Sequence, residues 1–280
     1  MSREIAGMSV IVTGGARGIG RATVERLAGL GASVAIGDLD VDLAASVAEP
    51  FGDRVAAARL DVTNPASWHG FLAEVGHLGP WDVLVNNAGI MPLGELLKEP
   101  DQVTRTIFQV NVFGVINGTK AVAPGMAERG RGHIVNVASA VGRLAVANGA
   151  TYSASKFAVV GFSEATRVEL APLGVDVTMV LPTVVKTELS AGVPAARGFK
   201  IVTPEDVAEA IESVLRKPRA EVWVPRSVQG LTKFVQALPR RVQEVLGKLS
   251  DAGNVLSEAD PVARKDYEDR ARRNADTTAE

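Results

Sequence analysis

The 280-residue sequence contains no cysteine. This absence excludes disulfide bonds, thiolate metal sites and a cysteine nucleophile. Aromatic residues make up only 5% of the chain although 46% of it is hydrophobic, so the core must be built mainly from valine, alanine, leucine and isoleucine. The length suits one large α/β domain or two small ones.

An excess of charge of one sign is also missing, because 30 basic residues nearly balance 32 acidic residues and leave a formal net charge of −2. Without a basic stripe, nothing favours nucleic acid or an anionic membrane as a partner. No run approaches the roughly 18 apolar residues of a membrane-spanning helix, and the first residues do not resemble a signal-peptide core. We therefore predict a cytoplasmic protein with no integral membrane segment and no metal site.

Short apolar runs alternate with helical patterns, which is typical of βαβ units and a parallel sheet. The seven runs predicted as strands are residues 8–12, 32–36, 54–58, 82–85, 133–137, 175–180 and 221–224. The predicted helices span 20–30, 100–129 and 151–173, and a fourth begins at Pro204 with Thr203 as its N-cap. We expect the long helix at 100–129 to bend.

After Pro225 the sequence pattern becomes that of an amphipathic helix and then of a highly charged segment. Apolar residues then recur at helical spacing, namely Val228, Leu231, Phe234, Val235 and Leu238. From about residue 260 charged residues dominate, which is typical of a solvated helix or a disordered end. We predict that 226–280 is a helical extension packed on the domain formed by 1–225, because so thin an apolar face buries too little surface for an independent fold.

A glycine-rich segment, residues 13–20, joins the first predicted strand to the first predicted helix and reads Thr-Gly-Gly-Ala-Arg-Gly-Ile-Gly. Glycines let the backbone approach a pyrophosphate closely, and a helix N-terminus offers that anion free N–H groups and partial positive charge. Because the segment has the required strand–turn–helix context, it favours a dinucleotide site over a simple turn.

Asp38 ends the second predicted strand, 18 residues after Gly20. Its carboxylate can accept a hydrogen bond from a ribose 2′-hydroxyl there, whereas a 2′-phosphate would meet a like charge. Arg17 favours NADP instead, since its guanidinium can pair with a phosphate. We predict NAD as the cofactor, with NADP as the less favoured alternative.

Tyr152 and Lys156 lie four residues apart on one face of a predicted helix, thirteen residues after Ser139. A nearby cation favours the phenolate, so we expect Lys156 to lower the pKa of Tyr152 from its usual value of about 10. The spacing alone also suits an ordinary half-buried tyrosine beside a surface lysine, so the other motifs decide between these interpretations.

Taken together, the motifs resemble those of the short-chain dehydrogenase/reductases over about residues 5–225. Residues 13–20 are similar to the family's Thr-Gly-x-x-x-Gly-x-Gly turn, 86–89 to its Asn-Asn-Ala-Gly strand end, and 61–62 to the segment that contacts adenine. The residues that resemble its catalytic tetrad are Asn111, Ser139, Tyr152 and Lys156. Thr183 is a departure, because the family commonly has glycine after the sixth strand.

The resemblance implies a Rossmann-type, doubly wound α/β fold with helices on both faces of a seven-stranded parallel sheet. It also implies NAD(P)-dependent chemistry at a CH–OH group. Tyr152 would be the acid/base for the substrate oxygen and Ser139 would polarise that oxygen. Lys156 would bind the nicotinamide ribose and Asn111 would hold a water that extends the proton relay. The implied cofactor contacts are Gly14, Arg17, Gly18, Ile19, Gly20, Asp38, Leu39, Asp61, Val62, Asn87, Ala88, Gly89, Tyr152, Lys156, Pro182, Val185 and Thr187.

The predicted substrate loop, residues 187–203, is mostly apolar. We expect four apolar residues between Ser139 and Tyr152 to line the same cleft, namely Val141, Leu144, Val146 and Ala147. The predicted substrate is therefore a lipophilic secondary alcohol or ketone, such as a steroid, terpenoid, retinoid-like or fatty alcohol, unless these residues merely pack the loop. The resemblance implies a homo-dimer or homo-tetramer formed through the helices at 100–129 and 151–173.

Three alternatives to an NAD-dependent dehydrogenase remain open at this level. They are an NADP-dependent carbonyl reductase, a cofactor-binding regulator that kept the fold without the chemistry, and a membrane-surface lipid-handling protein that uses the amphipathic extension. A broken tetrad would favour the regulator, but all four residues of the tetrad are present.

Overall fold

The computed structural model describes residues 2–194, 202–239, 241–242, 256, 259–260, 262–265 and 267–268. Seven parallel strands form one sheet in the order β3-β2-β1-β4-β5-β6-β7. The strands are β1 (Ser9–Thr13), β2 (Ser33–Asp38), β3 (Val55–Arg59), β4 (Val83–Asn86), β5 (Gly132–Val137), β6 (Val175–Pro182) and β7 (Glu221–Val224). All seven predicted strands are present, and the predicted fold class is confirmed.

Helices connect the strands and cover both faces of the sheet. They are α1 (Gly18–Gly29), α2 (Val41–Ala48), α3 (Pro65–Glu74), α4 (Asp101–Phe108), α5 (Gly114–Glu128), α6 (Ala150–Leu170), α7 (Pro204–Arg216) and α8 (Ser227–Ala237). The long helix predicted at 100–129 is interrupted by one π-helical turn, Gln109–Phe113, between α4 and α5. The sequence patterns did not predict α2 and α3.

The core lies in layers on both faces of the sheet, which explains the nearly continuous apolar strands. On one face α1 packs against β1 and β2 and α7 packs against β6 and β7, and the two helices bury Val24, Leu27, Val207 and Ile211. On the other face α3 and α5 bury Trp68, Phe71, Val122 and Met126.

The order in which the strands are added to the sheet reverses at β1, which pairs with β2 on one side and with β4 on the other. In an open parallel sheet, such a reversal opens a crevice at the carboxyl ends of the strands, and ligands bind there. The ends of β1, β2, β4 and β5 carry Thr13, Asp38, Asn86 and Val137, immediately before or within the predicted site segments. The topology therefore gathers segments that are far apart in sequence.

Helix α8 begins the C-terminal extension and packs next to β7. Val228 and Thr232 are buried, but Leu231 and Phe234 of the predicted apolar stripe are exposed, so the stripe packs only in part. Within the described ranges, no helix combines the length and the hydropathy needed to cross a membrane. The charged stretch from about residue 260, predicted to be a solvated helix or a disordered end, is described only as far as residue 268, and residues 195–201 of the predicted substrate loop also lie outside the described residues.

Candidate active site

The glycine-rich turn is held against the end of β4 by Asn87. The Asn87 side chain donates to the carbonyl oxygens of Thr13 (2.9 Å) and Gly14 (3.0 Å), and its backbone N–H donates to Thr13 Oγ1 (3.0 Å). Gly14 has φ of +66°, and a Cβ there would lie 2.9 Å from Ala88 Cα. Only glycine allows this turn to lie so close to β4.

The N-terminus of α1 faces the same crevice. No side chain caps it, and its first turn carries no acidic residue, so the turn's backbone N–H groups and partial positive charge face an anion site. Gly18 has φ of +51° and lies beside Thr187. A Cβ on Gly20 would lie 2.0 Å from the Gly14 carbonyl oxygen, so Gly20 serves the packing of the turn rather than the lining of the crevice.

The end of β2 is strongly acidic. Asp38 Oδ2 accepts from Ala16 N–H (3.0 Å) and Asp38 Oδ1 accepts from Asp40 N–H (3.1 Å). Arg17, the residue that favours NADP, forms ion pairs with Asp40 (2.5 Å) and Glu188 (3.5 Å). The guanidinium of Arg17 is thus already shared between two carboxylates.

A cleft of about 630 Å³ runs from this acidic end to Tyr152. Its size lies within the range of about 300–1,000 Å³ that is usual for small-molecule and cofactor sites. The predicted site residues that line it are Gly14, Arg17, Gly18, Ile19, Asp38, Leu39, Asp61, Val62, Asn87, Ala88, Gly89, Ser139, Tyr152, Lys156, Pro182, Val185 and Thr187. Gly20 and Asn111 are not among the lining residues.

Tyr152 is buried on α6, with Ser139 as its hydrogen-bond partner. Burial raises the pKa of Tyr152 to about 12, and the hydrogen bond from the Ser139 side chain opposes that rise. Ser139 follows the end of β5, and its Oγ accepts from Val141 N–H (3.3 Å). The cleft therefore presents a protonated phenol at neutral pH.

Lys156 lies one helical turn further on, with Nζ 5.8 Å from the centre of the Tyr152 ring. The ammonium donates to the Val137 carbonyl oxygen (3.1 Å), and burial lowers the pKa of Lys156 to about 8. The expectation that Lys156 brings the pKa of Tyr152 below 10 is wrong in this structure, because burial of the phenol dominates.

Asn111 lies in the π-helical turn and is 1% exposed. Its Nδ2 donates to the Ile90 carbonyl oxygen (2.9 Å) and to Ser155 Oγ (3.1 Å), and its Oδ1 accepts from Ile90 N–H (2.8 Å). Both amide hydrogens are used, so the side chain holds the loop after β4 behind the cleft. Its role toward a relay water stays a prediction.

The far end of the cleft is mostly apolar, with Met91, Val141 and Leu189 among its lining residues. Contrary to expectation, Val146, Leu144 and Ala147 do not line the cleft. Val146 packs behind this wall, and Leu144 and Ala147 are exposed. They lie in the loop before α6 that turns toward the surface.

Thr183 occupies the position where the family commonly has glycine. Its backbone N–H donates to the Val224 carbonyl oxygen (2.9 Å), which continues the pairing of β6 with β7. Thr183 is not among the residues of positive φ, so a side chain is accommodated without strain. Thr183 also lines the cleft.

Sequence reasoning missed two lining residues in the extension, Leu256 and Tyr267. Tyr267 is one of two tyrosines in the chain and lies in a charged segment, a context that predicts solvent exposure. A usable hint was the spacing of Arg264 and Glu268, since i,i+4 pairs favour a helix.

Three comparisons place these features among known proteins. A model of the short chain dehydrogenase family matches residues 8–198. The 3-alpha-(or 20-beta)-hydroxysteroid dehydrogenase of Mycobacterium tuberculosis is 37% identical over 195 residues, which cover 69% of this chain and 75% of that protein.

Two solved structures share the fold. A short chain dehydrogenase/reductase from Burkholderia phymatum in complex with NAD has a TM-score of 0.76 and 26% identity, and covers 84% of this chain and 94% of that chain. A serine dehydrogenase complexed with NADP+ has a TM-score of 0.73 and 31% identity, and covers 77% of this chain and 94% of that chain. The chain therefore belongs to the short-chain dehydrogenase/reductase family of oxidoreductases.

Proposed function

We propose that this protein interconverts a lipophilic secondary alcohol and the corresponding ketone, with NAD as the hydride carrier. One observation carries the proposal. A single cleft holds Tyr152, with its Ser139 hydrogen bond and neighbouring Lys156, at one end and Asp38 with the glycine-rich turn at the other.

The chemistry assigned to the chain is proton transfer beside a hydride transfer. When bound, the nicotinamide accepts or supplies the hydride. During reduction, the Tyr152 hydroxyl gives its proton to the ketone oxygen, and during oxidation the phenolate takes the proton from the alcohol. The Ser139 hydroxyl donates to the same oxygen and stabilises the charge that develops on it. Burial keeps Tyr152 protonated at neutral pH, which suits the direction of ketone reduction.

The preference for NAD is argued from the charge around the adenosine end. Asp38, Asp40 and Glu188 all line the cleft, with Arg17 paired to two of them. A ribose 2′-hydroxyl can donate to Asp38, whereas a 2′-phosphate would be placed among three carboxylates. Because one similar structure holds NAD and another NADP+, family membership alone does not decide this preference.

The lipophilic substrate is argued from the apolar end of the cleft. Met91, Val141 and Leu189 lie there with Leu256, and Arg143 is turned away into ion pairs with Glu164 and Glu221. The relative from Mycobacterium tuberculosis is named for activity on hydroxysteroids, which are alcohols of the proposed kind. Small polar polyols would leave this wall without matching contacts.

Replacing Tyr152 by Phe tests the assigned chemistry, because it removes one hydroxyl and keeps the ring. We expect kcat for ketone reduction to fall by about 10²–10⁴-fold, with NADH affinity measured by fluorescence changed by less than about twofold. Glu209→Gln, on the exposed face of α7 and outside the cleft lining, is the control and should behave as wild type. Turnover of the Phe variant close to that of wild type would refute the proposal.

A homo-oligomeric assembly and a cytoplasmic location stay predictions. Phe157 and Val168 are exposed apolar residues on α6, one of the two predicted interface helices, and their exposure supports a subunit contact at this face.

A further inference from the structure

The described residues 256, 259–260, 262–265 and 267–268, here called the C-terminal cover, lie over the end of the cleft where Tyr152 is placed. Leu256 is buried and packs in one cluster with Met91, Tyr152 and Val193. Tyr267 lines the cleft with Leu256, and its hydroxyl accepts from Met91 N–H (2.7 Å). Two side chains of the extension therefore share a cavity with the reacting end of the site.

Arg264 joins this cover to both loops that flank the substrate. Nη2 donates to the Met91 carbonyl oxygen (2.7 Å) in the loop after β4. Nη1 donates to the carbonyl oxygens of Leu189 (3.0 Å) and Ala191 (3.2 Å) in the loop after β6. One guanidinium thus bridges two loops that lie nearly a hundred residues apart in the sequence.

The bridge is a buried and fully paired charge. Arg264 is 3% exposed, and Glu268 neutralises it at 3.0 Å while accepting from Leu93 N–H (3.4 Å). Such a charge is retained only where its donors find partners in the right geometry. The guanidinium also lies 5.2 Å from the centre of the Tyr267 ring, so it holds that ring in place.

A second connection fixes the cover to the substrate loop. The Asp260 N–H donates to the Gly192 carbonyl oxygen (2.9 Å), and a Cβ on Gly192 would lie 2.7 Å from the Asp260 carbonyl oxygen. The Asp260 side chain accepts from Val262 N–H (2.8 Å) and so starts the short helical segment that carries Arg264. The loop and the cover approach each other through backbone contact.

We propose that Leu256 and Tyr267 form the outer wall of the substrate site and set the size of the alcohol or ketone that is accepted, with Arg264 as the positioning residue that holds this wall on both loops. The inference rests on the proposed function for the identity of the substrate class. Leu256 supplies an apolar surface for a hydrocarbon body, and Tyr267 closes the wall with a rigid ring.

The test uses 2-alkanones from 2-butanone to 2-undecanone with the full-length protein. Binding to the enzyme–NADH complex is followed by NADH fluorescence, and turnover by absorbance of the reduced nicotinamide. Leu256→Ala should move the optimum to longer ketones, with a gain of about fourfold in affinity per extra methylene buried. Leu256→Trp should move it to shorter ones. Lys265→Met, at an exposed neighbour of Arg264, should leave the profile unchanged.

Arg264→Met should raise KM for the longer ketones by about tenfold or more, the loss expected for hydrogen bonds from a charged group. We expect kcat at saturation and the Kd of NADH to change by less than about twofold. Arg264→Lys should be intermediate, because a lysine keeps the charge but donates from a single nitrogen, whereas Arg264 reaches the two loops from two separate nitrogens. Melting temperatures recorded with NADH separate a loosened wall from general unfolding.

The outcomes distinguish the two proposals. If the Leu256 variants retain turnover and their dependence on ketone chain length matches that of wild type, the proposed role of the wall is refuted and the proposed function is unaffected. If the Leu256 variants bind ketones with a shifted chain-length dependence but wild type turns none of them over, the proposed role of the wall is supported and the proposed function is refuted. Failure of every ketone to bind wild type would overturn both.

Discussion

At the scale of single residues, burial decides the state of the candidate catalytic pair. The spacing of Tyr152 and Lys156 correctly predicts that they share a face of one helix, but it carries no information about desolvation. Both groups are buried, and burial disfavours their charged forms, so the pKa of Tyr152 rises to about 12 and that of Lys156 falls to about 8. A bound nicotinamide cation would favour the phenolate, so the cofactor is expected to take part in tuning Tyr152.

Asp38→Asn tests the residue that argues for NAD. The amide oxygen can still accept from Ala16 N–H and hold the glycine-rich turn, while the charge that faces the ribose is removed. We expect kcat/KM with NAD to fall by about 10–100-fold, since a hydrogen bond to a charged group is worth about 1.5–3 kcal/mol. With NADP it should rise, because one of three carboxylates is neutralised.

Asp42→Asn is the matched control, because Asp42 carries the same charge in the first turn of α2 but does not line the cleft. Its NAD to NADP ratio of kcat/KM should equal that of wild type. A wild-type enzyme that already prefers NADP, or an Asp38→Asn variant with an unchanged ratio, would contradict the assignment.

At the scale of elements, the strands were predictable because short apolar runs that alternate with helical patterns are typical of buried strands in a parallel sheet. Their ends were less so, and β6 extends two residues beyond its predicted end to Pro182. The π-helical turn Gln109–Phe113 places Asn111 where it hydrogen-bonds the Ile90 backbone, a contact between segments that no local pattern encodes.

Thr203 gives an element-scale prediction at the start of α7. Its Oγ1 accepts from Asp206 N–H (3.3 Å), and its own N–H donates to Asp206 Oδ2 (2.9 Å), which forms a capping box. Thr203→Ala should lower the free energy of unfolding by about 1 kcal/mol, measured from urea unfolding curves. Thr203→Ser keeps the cap and should lose much less, and an equal loss in both variants would indicate packing of the methyl group instead.

At the scale of the whole molecule, the cofactor end of the cleft could be predicted from the sequence and the outer wall could not. Residues 13–20, Asp38 and the Tyr152 segment each carry a local pattern tied to a strand end. By contrast, Arg264 meets Met91 across 173 residues, and its charged neighbourhood predicts a solvated surface. The burial of Arg264 and its contacts with both loops arise from the tertiary fold and not from the local sequence.

The pH dependence of global stability should reflect His133, which is buried in β5 and does not line the cleft. Nε2 lies 2.8 Å from Thr178 Oγ1, which donates its own hydrogen to the Arg219 carbonyl oxygen (2.6 Å), so Nε2–H is the donor to Thr178. Nδ1 is buried without a partner among the described residues. Burial lowers the pKa of His133 to about 4, with Asp176 raising it and Arg3 lowering it further.

The unfolded chain takes up this proton near pH 6.5, whereas the folded protein resists it down to about pH 4. The stability contributed by neutral His133 is therefore complete above pH 6.5 and is lost as the pH falls to 4. A pKa difference of that size corresponds to about 3 kcal/mol. Between pH 6.5 and 4, the free energy of unfolding should therefore decrease less in His133→Gln than in wild type, and the difference should be about 3 kcal/mol.

Urea unfolding at several pH values measures this difference. His69→Gln is the control, because His69 is exposed on α3, and its profile should follow wild type. Carboxylates also lose stabilising contacts in this range, but they do so equally in all three proteins, so the comparison isolates one imidazole. Parallel profiles for wild type and His133→Gln would show that the folded protein accommodates a charged His133, contrary to the buried and unpartnered Nδ1 described above.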